Sequence, residues 1–170
     1  MSLESLIRIY FNASKIPSKD ELVKFDGFDQ LEKENAVERF LGKSWDEILN
    51  QIPAGGFGTQ CDIEELGVME PYGLQYYLKS YLLYCIKNEA EPRYENETVY
   101  FLIWTLKEIF RLRGVEVFTV EQRPVIRQFV VSLLIEIQDV DDDETVFPFV
   151  KSMKEYAQDI LGDPNLDGGV

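Results

Sequence analysis

Three consecutive amphipathic segments between residues 71 and 138 constrain the fold most strongly. Residues 71–88, 98–113 and 120–138 each carry apolar side chains at steps of three and four, the spacing that places them on one face of an α-helix. Each apolar face must be buried against another element, because such a stripe is unfavourable in water. The sequence therefore predicts a central antiparallel group of three helices.

The segments on either side of this group predict further, shorter helices, over residues 2–12, 18–27, 29–41, 44–52 and 144–161. In residues 29–41, Leu31, Val37, Phe40 and Leu41 are expected to face inward. Capping boxes, in which a hydroxyl residue and an acidic or amide residue three positions later bond each other's backbone, are expected at Ser18, Ser44 and Thr119. With 170 residues, one domain is expected. We predict an all-α, compact bundle of about seven helices over residues 1–162, with a flexible tail at 163–170.

The charge balance restricts the class of partner. The chain has 17 basic and 31 acidic residues, which give a net charge of −14. Such a chain repels nucleic acid and anionic lipid, so we expect neither nucleic acid nor a membrane as a partner. A basic protein would be attracted instead. Solubility is the alternative explanation for the same charge.

The sequence predicts a cytoplasmic protein. It has no run of about 18 apolar residues that could span a membrane, and the first eleven residues include Glu4 and Arg8 rather than a secretion signal. Its two cysteines, Cys61 and Cys85, are distant in sequence, and Cys85 lies on an apolar stripe. Both are expected to be reduced thiols.

The absence of histidine removes several kinds of chemistry. It excludes Ser-His-Asp and Cys-His catalysis and histidine metal ligands. Two separated cysteines also exclude a structural zinc site. We therefore predict no cofactor. Paired carboxylates could still support catalysis, but no spacing selects two from the candidates, which are Glu47, Glu64, Glu65, Glu70 and Glu108.

Three segments resemble ligand-binding loops only in part. Residues 53–60 are rich in glycine but lack the lysine and the preceding strand of a phosphate loop. Residues 139–144 and 163–168 place carboxylates as a calcium loop does. In the first, Glu144 takes the position of the loop's glycine, and the second is not followed by the glutamate at the twelfth position. We interpret all three as flexible or solvated segments.

Four arginines and two tyrosines are candidate interface residues. Arg111, Arg113, Arg123 and Arg127 lie around one helix–turn–helix corner and could bind a partner's carboxylates. The alternative is that they interact with helix C-termini and nearby acidic residues. Tyr76 and Tyr84 lie off the predicted buried stripe of residues 71–88. Exposed tyrosines are common at interfaces, and core filling is the alternative.

Several motifs resemble those of a known family. They are Phe40-x-Gly42-Lys43-x-Trp45, Tyr76-Tyr77-Leu78-x-x-Tyr81-Leu82, and Phe118-Thr119-x-Glu121-Gln122 with a later Phe129-x-x-x-Leu133-Leu134. Together they resemble an uncharacterised bacterial family of small helical proteins over roughly residues 31–134. The chain has Lys79 where that pattern has proline. The resemblance implies a helical fold and carries no activity.

Our leading hypothesis from the sequence is a non-enzymatic protein-binding module, specifically an immunity-like inhibitor of a basic partner. It rests on the net charge, the missing catalytic side chains and the surplus tyrosines. The alternative is a carboxylate-based enzyme, or a protein that binds a small ligand or metal, with its site near the 53–60 loop.

Overall fold

The computed structural model describes residues 1–27, 29–52, 63–87, 92–140 and 149–167. Within these ranges there is no strand, and eight α-helices have both ends described. They are α1 Leu3–Tyr10, α2 Lys19–Leu22, α3 Gln30–Phe40, α4 Trp45–Gln51, α5 Pro71–Lys87, α6 Glu97–Arg113, α7 Gln122–Ile137 and α8 Val150–Leu161. Short 3₁₀ turns occupy Glu65–Val68, Arg93–Glu95, Val115–Val117 and Pro164–Asp167. The predicted all-α class is confirmed.

The three predicted central helices are α5, α6 and α7, and only α7 begins later than expected. The Gln122 backbone N–H donates to Thr119 Oγ1 at 3.3 Å, and the Thr119 N–H donates to Gln122 Oε1 at 3.1 Å. These reciprocal bonds form the predicted capping box, but they hold a turn that precedes the helix. Pro124 then falls in the first helical turn, where its missing N–H costs nothing.

The two serine capping boxes are also confirmed. The Ser18 N–H donates to the Glu21 carboxylate at 2.8 Å, and the Ser44 N–H donates to the Glu47 carboxylate at 2.7 Å. Because a hydrogen bond to the ionised carboxylate favours that form, these backbone bonds lower the pKa of Glu21 and of Glu47. Each of these two capping boxes fixes the residue at which a short helix begins.

Helix α5 lies at the centre of the molecule and is buried on almost every side. Among its buried residues are the polar Lys79 and Ser80 as well as the expected apolar stripe. One continuous hydrophobic core reaches from Ile7 in α1 to Leu166 near the other end of the chain. Leu166 is buried in the 3₁₀ turn Pro164–Asp167. This turn lies within the tail predicted from residue 163, and the flexibility of that tail stays a prediction.

Helix α5 holds the connection between α3 and α4 by side-chain hydrogen bonds. The Tyr77 hydroxyl lies 2.7 Å from the Phe40 carbonyl oxygen and 2.8 Å from that of Lys43. The Ser80 hydroxyl donates to the Trp45 carbonyl at 2.5 Å. Of these three carbonyls, that of Phe40 is in the last turn of α3, where the helix supplies no partner.

The prediction that Leu31 and Leu41 face inward is wrong. Leu31 is 66% exposed, and Leu41, which follows the last residue of α3, is 38% exposed, whereas Ala36 and Phe40 form the buried side of α3. Leu31 lies nine positions before Phe40, which is about two and a half helical turns. The two side chains therefore point to opposite sides of the helix.

Helix α7 joins the two ends of the chain. It packs against α1 and α8, and the Gln122 side-chain amide donates to the Tyr10 carbonyl at 3.1 Å. This bond gives a partner to the carbonyl of Tyr10, one of the last carbonyls of α1, which have no partner within their own helix. The N-terminal helix is therefore fixed by a segment more than a hundred residues away.

Candidate functional site

The structure places Tyr76 in the core rather than on the surface. Tyr76 is 3% exposed, and its hydroxyl accepts a hydrogen bond from the Trp45 N–H at 3.4 Å. Burial raises the pKa of the Tyr76 phenol. Because α5 has almost no free face, the prediction that Tyr76 lies off the buried stripe is wrong. Tyr84 is partly buried against the core, and an interface role for either tyrosine stays a prediction.

The candidate arginines Arg111, Arg113 and Arg123 bond different partners within the chain. Arg111 pairs with Glu108 at 2.6 Å, and Arg113 donates to the carbonyls of Gly67 and Met69 at 3.1 and 2.7 Å. Arg123 Nε donates to the Phe118 carbonyl at 3.2 Å, while Arg127 is exposed. These local bonds occupy much of the donor capacity that a shared anion site would need, and the predicted interface role stays a prediction.

A groove of about 270 Å³ lies between the start of α3, the turn Glu65–Val68 and the second half of α6. We call it the acidic groove. Helix α6 supplies Trp104, Thr105, Glu108, Ile109 and Leu112, whose spacing of about four places them on one helical face. Trp104 is partly buried, and Leu112 is 67% exposed. The groove therefore presents apolar surface to solvent.

Carboxylates dominate the charged groups that line the acidic groove. They come from Asp29, Glu32, Glu64 and Glu108, against the single guanidinium of Arg113. In the described part of the chain, no basic side chain forms an ion pair with Asp29 or Glu32. The groove therefore carries negative charge that the chain's own cations do not fully balance.

The positive groups near the acidic groove are already engaged. The hydrogen bond from Arg111 lowers the pKa of the Glu108 carboxyl, so Glu108 stays ionised. Burial lowers the pKa of Arg113, while the charge of Glu70 opposes that change. Arg113 remains a cation under all ordinary conditions, but its donors serve backbone carbonyls of the neighbouring turn.

Thr105 lines the acidic groove with a buried hydroxyl that makes no hydrogen bond. It is 3% exposed, and its Oγ1 atom has no hydrogen-bond partner. A helical threonine commonly donates to the carbonyl four residues earlier, and Thr105 does not. Leaving a buried hydroxyl unpaired costs about 1–3 kcal/mol. Such a group in a groove wall indicates a place where a ligand atom can complete the hydrogen bonding.

Other depressions in the described residues have a more mixed lining. One of about 330 Å³ combines Lys107 and Arg111 with Asp159 and Asp163. Another, of about 410 Å³, lies between α1 and the start of α7 and is lined mainly by neutral side chains such as Tyr10 and Gln122. Neither combines one dominant charge with an unpaired buried polar group, so the acidic groove is the stronger candidate.

Several predicted features lie outside the described residues, among them the 53–60 loop, Cys61 and most of the 139–144 stretch. Across the ranges that are described, no three Asp, Glu, Cys or His side chains are grouped so that they could hold a metal ion. In the same ranges, no helix combines the length and the apolar character that crossing a membrane requires.

Comparison with known proteins identifies the family. A family model described as a family of unknown function, DUF6714, matches residues 1–161. The chain belongs to the DUF6714 family. This confirms the resemblance to an uncharacterised family. No curated protein and no solved structure matched the chain.

For this DUF6714 chain, sequence reasoning named two groove carboxylates and Arg113 and missed the other lining residues. Glu64 and Glu108 were among the candidate carboxylates, and the fold brings both to the acidic groove. Thr105, Trp104 and Asp29 had no distinguishing sequence signal. Asp29 is the one described non-glycine residue with positive φ, at +63°, a conformation that aspartate adopts more readily than most residues.

Proposed function

We propose that this protein is a non-enzymatic protein-binding module that recognises a basic partner through the acidic groove. An immunity-like inhibitor of a basic protein is the form of this function that we favour. The free, buried thiol of Cys85 suits a reducing compartment, and we propose a cytoplasmic location.

The observation that carries this proposal is the combination of apolar surface and unbalanced carboxylates in one groove. Protein interfaces typically have an apolar centre and a polar rim, and here Trp104 and Leu112 lie beside Asp29 and Glu32. At about 270 Å³, the groove is below the range of about 300–1,000 Å³ that is typical of drug-sized ligands. Its size fits a side chain inserted by a protein better.

The overall charge supports the same class of partner. A net charge of −14 accelerates the encounter with a basic protein and slows the encounter with an acidic one. Because salt screens this long-range attraction, the association rate is expected to fall as the salt concentration rises. The dissociation rate depends more on the groove itself, where contacts are short-ranged.

The experiment uses three labelled peptides. In the first, leucine alternates with arginine, in the second with lysine, and in the third with glutamate. Binding to the full chain is measured by fluorescence anisotropy at low and high salt. We expect at least one basic peptide to bind, more weakly at high salt, and the glutamate peptide not to bind. If neither basic peptide binds at low salt, the proposed function is wrong.

Matched variants separate binding in the groove from diffuse attraction. Asp29→Asn with Glu32→Gln removes two charges at the groove, and Asp20→Asn with Glu155→Gln removes two exposed charges elsewhere. Both pairs change the net charge equally. We expect the groove pair to weaken binding by about fivefold or more and the control pair to have a smaller effect. Equal effects would show that the groove is not the binding site.

A further inference from the structure

We propose that the Thr105 hydroxyl is the recognition group for a single arginine side chain that the partner inserts into the acidic groove. The Thr105 Oγ1 atom accepts a hydrogen bond from the guanidinium, whose charge faces the groove carboxylates. This inference rests on the proposed function and adds to it the identity of the anchoring residue and the atom that selects it.

The unpaired state of Thr105 is the first reason. Its Oγ1 atom is buried and without a partner in the free chain, so a donor from outside would remove an existing penalty rather than replace a bond. The three cations of α6 do not serve it. Lys107 pairs with Asp159, Arg111 donates to Glu108, and Arg113 donates to the carbonyls of Gly67 and Met69.

The side chain of threonine also allows the hydroxyl to reach a ligand. Helical threonine divides between two χ1 rotamers, unlike valine, which is nearly restricted to one. Rotation about χ1 exchanges the hydroxyl and the methyl group, so a hydroxyl that is inaccessible in the free chain can turn towards an entering donor. The acidic groove therefore needs no backbone movement to offer this acceptor.

The composition of the acidic groove favours arginine over lysine. The guanidinium is planar, weakly hydrated and able to stack on an aromatic ring, and Trp104 lies next to Thr105 in the groove wall. Five N–H donors allow it to bond a hydroxyl and a carboxylate at once. The ammonium of lysine is compact and strongly hydrated, so it gains less from a partly apolar groove.

Thr105→Val tests the inference because its effects on stability and on binding should have opposite signs. Valine keeps the shape and the β-branch but removes the unpaired hydroxyl, so the midpoint of thermal unfolding should rise or stay the same. Affinity for the leucine–arginine peptide should fall by about tenfold or more, since a hydrogen bond to a charged group is lost. Thr105→Ser keeps the hydroxyl and should retain most of the affinity.

The outcomes distinguish this inference from the proposed function. If the wild-type chain binds the arginine peptide and Thr105→Val binds it equally well, the inference is wrong while the proposed function stands. If Thr105→Val weakens binding but also lowers the unfolding midpoint, Thr105 has a structural role and the inference is wrong. A lysine peptide that binds as tightly as the arginine peptide would overturn the choice of arginine. If no basic peptide binds the wild-type chain, the proposed function fails first.

Discussion

The ammonium nitrogen of Lys79 lies 4.1 Å from the centre of the Trp45 ring. Lys79 is 7% exposed, and within the described ranges it forms no ion pair with a carboxylate. The Arg8 guanidinium lies 5.8 Å from the centre of the same ring. Burial, and then the charge of Arg8, lower the pKa of Lys79. A cation is thus held against α4 mainly by an aromatic face.

Lys79→Met should stabilise the protein at pH 7 by about 1 kcal/mol, because methionine packs in the same space without a buried charge. The pKa of Lys79 in the folded chain is below the ordinary 10.5. Between the folded pKa and 10.5, the unfolded chain therefore binds more protons than the folded chain. The wild type should gain stability as the pH rises through this range, and the stability difference from the variant should shrink. Urea denaturation of both proteins from pH 7 upward measures it. A variant less stable than the wild type at pH 7 would show that the cation–π contact outweighs the cost of burial.

Tyr77→Phe should destabilise the protein by about 1–2 kcal/mol, because its hydroxyl is the side-chain donor to the carbonyls of Phe40 and Lys43. The ring stays in the core, so the loss reports the hydroxyl alone. Tyr10→Phe is the control, since Tyr10 is 38% exposed and its hydroxyl makes no hydrogen bond among the described residues. Denaturant unfolding compares the two. Equal stability of both variants would contradict the role assigned to Tyr77.

Gly114→Ala should destabilise the protein by roughly 1–3 kcal/mol. Gly114 ends α6 with φ +73° and ψ 172°, a region of backbone space that is nearly restricted to glycine. A Cβ atom there would also meet the Glu116 carboxylate, but that exposed side chain can move away. Gly67→Ala is the control, because Gly67 has no positive φ and no atom within 4 Å of a new Cβ. Thermal unfolding should separate the two variants, and a Gly114→Ala protein as stable as the control would refute the expected strain.

Arg93→Lys should lower the free energy of unfolding by about 1–2 kcal/mol. The Arg93 guanidinium contacts the Glu136 carboxylate at 2.6 Å and Ser132 at 3.1 and 3.0 Å, and lysine cannot reproduce this fork. Arg111→Lys is the control. Its pair with Glu108 is on one helix and its side chain is 58% exposed, so a change within about 0.5 kcal/mol is expected. Chemical denaturation of both variants checks the difference.

Local features of the fold could be predicted from the sequence because their causes are local. The three capping boxes each join residues three positions apart, and helical periodicity is a property of one segment. Gly42, which follows the end of α3 with φ +80°, is a local feature of the same kind, because this backbone conformation favours glycine. Each of these features depends on side chains within a single turn.

The burial of Tyr76 and the acidic groove could not be predicted in this way. Tyr76 is buried because α4 covers the side of α5 that a two-faced helix would expose to water. The groove exists because the start of α3 and the face of α6 around Thr105 meet the same 3₁₀ turn. Both depend on contacts between segments that are far apart in sequence, and the spacing of residues within one segment contains no information about such contacts.

The hydrogen bond between Gln122 and the Tyr10 carbonyl spans 112 residues. A ribosome that adds about 5–20 residues per second completes α1 about 6–22 s before Gln122 is synthesised. During that interval Ile7 and Phe11, both fully buried in the finished protein, lack the cover that α7 later provides. Until α7 is synthesised, the segment that forms α1 therefore exposes apolar side chains that the folded protein buries.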